Sequence, residues 1–385
     1  MTNRRRVVAG LAAVAVAIAL VVGTVACGGG SADEQEPIGA VAAVQDDHLP
    51  IDPLENIDAR LDLVADTGAT TTRYDIFWSQ VAPSRPADAT DPADPAYDWS
   101  RADAVLTGLA ERDITPIVDV YNAPTWATGG RFEPPGYQIN TATPDADDFA
   151  DFMTALATRY SGDFQADGAT LPAVTHVEIW NEPNLSGFLR PQFEGDTPVS
   201  LDNYAAMVKA AYPAMKKANP EVQVIAGVGG PRGSTGETGI GAIDWLQGLK
   251  QRDIPLDGYS QHIYPAAGPL EPTDALPSWS SIGRFLDEID GFKQGLPFYI
   301  TEAGYTTAPT PYRDTAVTEE QQAEYLTQIY SLPQLRTEQV KAVVWFNLED
   351  NANWPAGLYR EGLEKKPSYA RFVDVVKAQG GARLG

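Results

Sequence analysis

His176-Val177-Glu178-Ile179-Trp180-Asn181-Glu182-Pro183-Asn184 is a largely apolar run that ends in Asn-Glu and is then stopped. Pro183 lacks a backbone N–H and fixes its own φ, so neither helix nor sheet pairing continues through it. Glu182 is therefore expected at the open end of a strand. A second stretch, Phe298-Tyr299-Ile300-Thr301-Glu302-Ala303-Gly304-Tyr305, repeats the arrangement: an apolar strand, a carboxylate, then a glycine loop.

Outward from these two, short apolar runs recur at 39–44, 70–76, 115–121, 175–180, 222–228, 258–264, 297–302 and 341–347. Amphipathic stretches separate them. Leu54, Ile57, Leu61 and Val64 share one helical face, as do Phe149, Phe152 and Leu156, and Ile282, Phe285, Ile289 and Phe292. Gly68 stands where a C-cap is wanted, and Thr318-Glu319-Glu320-Gln321 is a capping box opening a helix through Ile329. Strict alternation of strand and helix predicts a parallel sheet, and eight such units predict closure into a single-domain (β/α)8 TIM barrel over 38–385. The segments that follow strands (122–144, 181–200, 229–241, 265–278 and 303–317) are long and rich in Gly, Pro and aromatics, while those that follow helices are mostly shorter. That asymmetry places the site at the C-terminal ends of the strands.

Composition narrows the partners. Against 28 basic residues stand 52 acidic ones, for a net charge of −24. Such a surface repels nucleic acid and does not suit a polybasic membrane role. It fits a soluble monomer and a neutral substrate such as a sugar. Arg4, Arg5 and Arg6 precede an uncharged run over 7–22 and then Gly23-Thr24-Val25-Ala26-Cys27, which reads as an export signal over 1–27. Cys27 is the expected lipidation site, with 28–37 as a flexible tether to the outer face of the cytoplasmic membrane; without lipidation the protein is expected to be secreted. Past that leader the chain has no cysteine, hence no disulfide.

Glu182 and Glu302 are 120 positions apart, three strand–helix units of about 40 residues, so strands 4 and 7 face each other across the mouth. Two opposed carboxylates suit glycosidic cleavage: one protonates the leaving oxygen while the other attacks the anomeric carbon, at roughly 5–5.5 Å in a retaining enzyme. Glu302 as nucleophile needs a cation and hydroxyl donors that lower its pKa; Glu182 as acid/base needs desolvation that keeps its proton until the bond breaks. Trp126, Trp180, Trp279, Trp345 and Trp354 fall near strand ends or on the long loops, where flat faces could meet sugar C–H surfaces.

Trp-Asn-Glu-Pro-Asn on strand 4 and Thr-Glu-Ala-Gly on strand 7 resemble the large clan of retaining (β/α)8 glycoside hydrolases that includes cellulases of family 5 and xylosidases of family 39, and the chain looks closer to family 39. The resemblance implies a hydrolase acting on an oligo- or polysaccharide without a metal or other cofactor. It also implies further site residues. Arg73 resembles the arginine that keeps the nucleophile ionised, and Asn181 the residue that binds the sugar 2-hydroxyl. His262 and Tyr264 resemble the pair beside the nucleophile, and Trp345 the aromatic floor under the reacting sugar.

Rival readings find less support. A catalytically silent carbohydrate-binding surface lipoprotein would not need both glutamates, whereas a transglycosylase would share every residue named. His176, inside strand 4, reads as structural, and the position of His48 after strand 1 does not decide its role. Three histidines form no metal-ligand pattern and there is no HExxH. Gly227-Val228-Gly229-Gly230-Pro231-Arg232-Gly233 follows a strand, but Arg232 occupies the third glycine position of a dinucleotide loop and Pro231 interrupts it.

Overall fold

The computed structural model describes residues 39–132 and 139–385. The expected export segment 1–27 with Cys27, and the whole of the expected tether 28–37, lie outside these residues. Among the described residues no helix is long and apolar enough to cross a membrane.

Eight parallel strands close into a barrel in sequential order: β1 Val41–Gln45, β2 Thr71–Phe77, β3 Thr115–Tyr121, β4 His176–Ile179, β5 Gln223–Gly229, β6 Gly258–Gln261, β7 Phe298–Ala303 and β8 Val340–Phe346. One main helix follows each: α1 Ile57–Asp66, α2 Ser100–Glu111, α3 Ala146–Arg159, α4 Val199–Ala218, α5 Ala242–Gln251, α6 Ile282–Ile289, α7 Glu319–Ser331 and α8 Pro367–Ala378. Side chains alternate between the helix layer and the barrel interior, which explains why these strands read as near-continuous apolar runs. Toward the N-terminal end the interior is packed by Val41, Ala43, Ile117, Ile225, Tyr299, Ala342 and Val344. Above it the register brings polar side chains together: Arg73 lies opposite Gln45, Asp75 opposite Asp119, and Asp119 opposite Glu178.

The helix ends follow their local chemistry. Thr318 closes a capping box with Gln321 at the start of α7, and Gly68 takes φ +79° just past α1. Three expectations need adjustment. Leu54 belongs to a short 3-10 turn before α1 and is exposed, so the buried stripe begins at Ile57. Phe292 lies beyond the end of α6 and is only partly buried. Strand β6 ends at Gln261 rather than at residue 264, because the neighbouring β5 breaks register between Ala226 and Gly229. The chain past Gln261 still stays extended: the His262 N–H donates to the Gly229 carbonyl at 2.8 Å and the Ile263 N–H to that of Glu302 at 2.9 Å. That irregular continuation aims His262 and Tyr264 into the barrel mouth.

Candidate active site

Glu182 is delivered by a contorted backbone. Trp180 has φ +67° and Glu182 φ +40°, both in the left-handed region that non-glycine residues avoid at a cost of roughly 1–3 kcal/mol each. Neighbouring side chains hold that geometry. The Trp180 indole donates to the Phe188 carbonyl at 3.0 Å, and Gln192 Nε2 to that of Pro183 at 2.9 Å. Asn184 is fully buried; its Oδ1 accepts from the Gly230 N–H at 2.7 Å and its Nδ2 donates to the Ile240 carbonyl at 2.9 Å. Gly230 is required by this packing, since a Cβ there would stand 2.6 Å from Leu185 Cδ1 and 3.0 Å from the Glu182 carboxyl carbon. Gly230 thus makes room for Glu182, where the sequence superficially resembles a dinucleotide loop.

Glu302, at the end of β7, is fixed from two sides. Arg73 Nη1 donates to Oε1 at 2.8 Å and the Tyr264 hydroxyl donates to Oε2 at 2.8 Å. The guanidinium is wholly buried and serves as a hub. Its Nε donates to Glu178 at 2.6 Å, Nη1 also to Gln45 Oε1 at 3.0 Å, and Nη2 to Asn181 Oδ1 at 2.8 Å, with ion-pair contacts to Asp119 at 2.9 Å and Asp75 at 3.3 Å. Because Arg73 occupies the Asn181 oxygen, the amide is oriented and its NH2 remains the donor for a ligand. His262, also fully buried, places Nδ1 2.8 Å from Glu182 Oε1 and 3.4 Å from Glu302 Oε2. Glu182, His262 and Glu302 each offer an atom within 4.8 Å of the others.

Burial pushes the Glu182 carboxyl up to about 8, against the opposing charge of Arg73. Burial raises Glu302 as well, with His262 and Arg73 pulling the other way. This differs from the expected net lowering: burial is the largest influence, the Glu182 and Asp75 carboxylates add to it, and the opposing Arg73 charge is shared among Asp119, Glu178, Asp75 and Glu302. Among the described residues, what separates the two glutamates is their hydrogen-bond partners: Glu302 accepts from a guanidinium and a phenol, whereas Glu182 has the imidazole of His262, whose pKa burial lowers.

Arg73, Asn181, His262 and Tyr264 are thus gathered around the two glutamates. Trp345 is not. Its side chain points away from the mouth into the core shared with the helices, wholly buried, and its indole donates to the Ala356 carbonyl at 2.9 Å. The sequence places it one residue short of the inward-facing position, which Phe346 fills instead: partly exposed, Phe346 lies 6.3 Å from Tyr264 and 6.2 Å from Trp354. Of the other loop tryptophans, Trp180 and Trp279 are buried, while Trp126 is partly exposed but pinned beneath Arg85 at 4.6 Å. His48 bonds Asp52 at 3.0 Å and approaches Glu349 at 3.5 Å, while His176 is buried against Tyr299 and its pKa is depressed to about 4 by burial. Sequence reading missed Gln45, Asp47, Asp75, Asp119 and Glu178. Their signal is that charged or amide side chains interrupt, or directly follow, strands that are otherwise apolar, where an unpaired charge is costly.

A closed parallel barrel with paired carboxylates at the ends of strands 4 and 7 is the architecture of a (β/α)8 glycoside hydrolase. The chain belongs to the Glycosyl hydrolases family 39, whose model matches residues 86–353. It is 24% identical to a β-xylosidase of Geobacillus stearothermophilus over 252 residues, 62% of this chain and 46% of that protein. It is also 24% identical to a β-xylosidase of Caldicellulosiruptor saccharolyticus over 231 residues, 57% of this chain and 43% of that one. The chain therefore spans less than half the length of these two relatives. In fold it is similar to a family 39 glycoside hydrolase from Bacteroides cellulosilyticus WH2, with TM-score 0.60, 22% identity, and 89% of this chain and 64% of that one covered. It also resembles a monomeric β-xylosidase from Caulobacter crescentus CB15, with TM-score 0.60, 18% identity, and coverage of 88% and 68%.

Proposed function

We propose that the protein is a retaining glycosidase in which Glu302 is the nucleophile and Glu182 the acid/base. The observation that carries this reading is the unequal pair: two carboxylates offering oxygens within 4.8 Å, one clamped by Arg73 and Tyr264, the other pushed to about 8. That spacing suits direct attack and is shorter than the roughly 6.5–9.5 Å at which inverting enzymes hold their carboxylates. Glu302 attacks the anomeric carbon as Glu182 gives its proton to the leaving oxygen, forming a glycosyl ester on Glu302. With the nucleophile esterified, Glu182 accepts a proton from water, which hydrolyses the ester and restores both groups. The substrate is an oligo- or polysaccharide, and the names of the relatives make β-xylosides the first to try.

The test is turnover of aryl β-glycosides by the purified protein beside Glu302→Ala and Glu182→Gln. Glu302→Ala is expected to be inactive, with azide restoring release of the aryl group and giving the glycosyl azide of inverted configuration. Glu182→Gln is expected to lose about 10²–10⁴-fold, and less with activated leaving groups that need no proton. Hydrolysis that survives in Glu302→Ala overturns the assignment. We further propose that residues 1–27 export the protein and that Cys27 anchors it by lipid; Cys27→Ala should then move it from the membrane fraction to the medium.

A further inference from the structure

Asp47 follows β1 in the loop at the barrel mouth and does not belong to the Arg73 hub. Burial raises its pKa, and the carboxylates of Asp75, Glu302 and Asp46 add to that, so the hydroxyl donors of a ligand are what would stabilise its charged form. Its Oδ2 accepts from the amides of Asn347 at 3.3 Å and Asn351 at 3.2 Å, and its Oδ1 from Gln45 at 3.4 Å. These contacts are long, and they leave much of the accepting capacity of the carboxylate unused. A second signal lies beside it: the Oδ1 of Asn347 is buried and has no hydrogen-bond partner among the described residues.

Asn351 joins this carboxylate to an aromatic wall. While its Nδ2 donates to Asp47, its Oδ1 accepts from the backbone N–H groups of Asn353 at 2.9 Å and Trp354 at 2.8 Å. That turn sets the Trp354 ring edge-on to Tyr264, with centroids 4.8 Å apart and planes at 76°. Both ends of the unit reach the nucleophile through a short relay. Gln45 connects Asp47 to the same Arg73 nitrogen that binds Glu302, and the Tyr264 hydroxyl beside Trp354 bonds Glu302 directly. Asp47, Phe346 and Trp354 all keep partial exposure.

A pyranose presents hydroxyl donors at its edge and C–H groups on its faces, and an acceptor-only carboxylate beside flat rings matches both. We propose that Asp47 and Trp354, tied together by Asn351, form the specificity-determining wall of the subsite whose sugar Glu302 attacks. Asp47 accepts from two adjacent hydroxyls of a neutral sugar, and Trp354 with Phe346 packs on its C–H face. This rests on the glycosidase reading. A uronic acid is disfavoured, because its carboxylate would face Asp47, Asp75 and Glu302 together.

The test compares the full chain with Asp47→Asn on p-nitrophenyl β-D-xyloside, glucoside, galactoside, mannoside and glucuronide, then on the 3-deoxy and 4-deoxy forms of the best substrate. Asp47→Asn should lower kcat/KM by about 10- to 100-fold on the parent sugar, the size expected for hydrogen bonds to a charged group. The wild type should lose a similar factor on at least one deoxy sugar, and the variant should then lose less than about threefold more. Losses that multiply independently, an Asp47→Asn that matches wild type, or the glucuronide as best substrate overturn the wall. If Asp47→Asn does not fold, Asp47→Ser carries the same comparison. If the wild type turns over none of the glycosides, the glycosidase reading fails by itself, and the wall is judged by calorimetric titration with D-xylose and D-glucose. Weaker binding by the variant then supports the wall, and equal binding overturns it.

Discussion

Arg73 holds together the most demanding part of the molecule. Among the described residues its guanidinium is the one arginine or lysine cation paired with Glu178, Asp119, Asp75 and Glu302, all buried. Replacing it with methionine keeps much of the stem but strands those carboxylates without a counter-charge, a situation that costs about 3–5 kcal/mol. Arg73→Met is therefore expected to lower the melting temperature sharply at neutral pH and to recover part of the loss in mild acid, where the carboxyls take up protons. Thermal unfolding at pH 5 and pH 7.5 checks this; an equal loss at both pH values would show that packing rather than charge is at stake. Arg73→Lys keeps the charge but not the planar fork that reaches Glu178, Asn181 and Glu302 at once, so it should restore stability better than activity.

At the scale of elements, the irregular ends of β4, β5 and β6 place Glu182, His262 and Tyr264, the groups to which the proposed chemistry falls. Trp180 and Glu182, just past β4, and Val228, near the end of β5, adopt positive φ, and Gly230 then approaches Glu182 where no side chain fits. Gly230→Ala should displace the carboxyl of Glu182 and reduce kcat by up to about 10²-fold, the scale set by a misplacement near 1 Å. Its melting temperature should change little compared with that of Arg73→Met. Because only the acid/base moves, the loss should shrink on glycosides whose leaving group needs no proton. A uniform loss across leaving groups would point to a disturbed nucleophile instead.

For the whole molecule, the raised acids set the pH response. In the proposed acid role Glu182 must carry its proton, so kcat/KM should fall as pH rises through about 8, and Glu182→Gln should abolish that limb. Stability follows the same sign. A carboxyl whose folded-state pKa is raised from 4.5 to about 8 favours the folded state while protonated, and that contribution is lost as pH rises through the folded value. Asp47, Asp75, Asp119 and Glu302 are raised too, chiefly by burial. His176 and His262 are depressed and oppose this trend only at lower pH, where the unfolded chain would bind their protons. Between pH 6.5 and 8.5 the carboxyls prevail, and the −24 net charge adds self-repulsion in the same direction. The melting temperature is expected to fall across that interval; a rise in a buffer series at constant ionic strength would contradict it.

The sequence by itself determined the barrel and its two glutamates. Periodicity, Gly and Pro punctuation and a carboxylate closing an apolar run are local signals, and local signals survive in one dimension: the eight strands lie within a few residues of where the pattern puts them. Only the tertiary structure decided which inward side chains meet. Whether Trp345 or Phe346 faces the mouth turns on one step of strand register, and the period of two sends a one-residue error to the opposite face. The reach of Arg73 on β2 to Glu302 on β7, and the meeting of Asp47 with Asn351 across 304 positions, arise because the sheet closes on itself and makes the first strand and the last into neighbours. No stretch of sequence carries that closure, so the proton affinities and the sugar-facing wall that depend on it appear only in the folded chain.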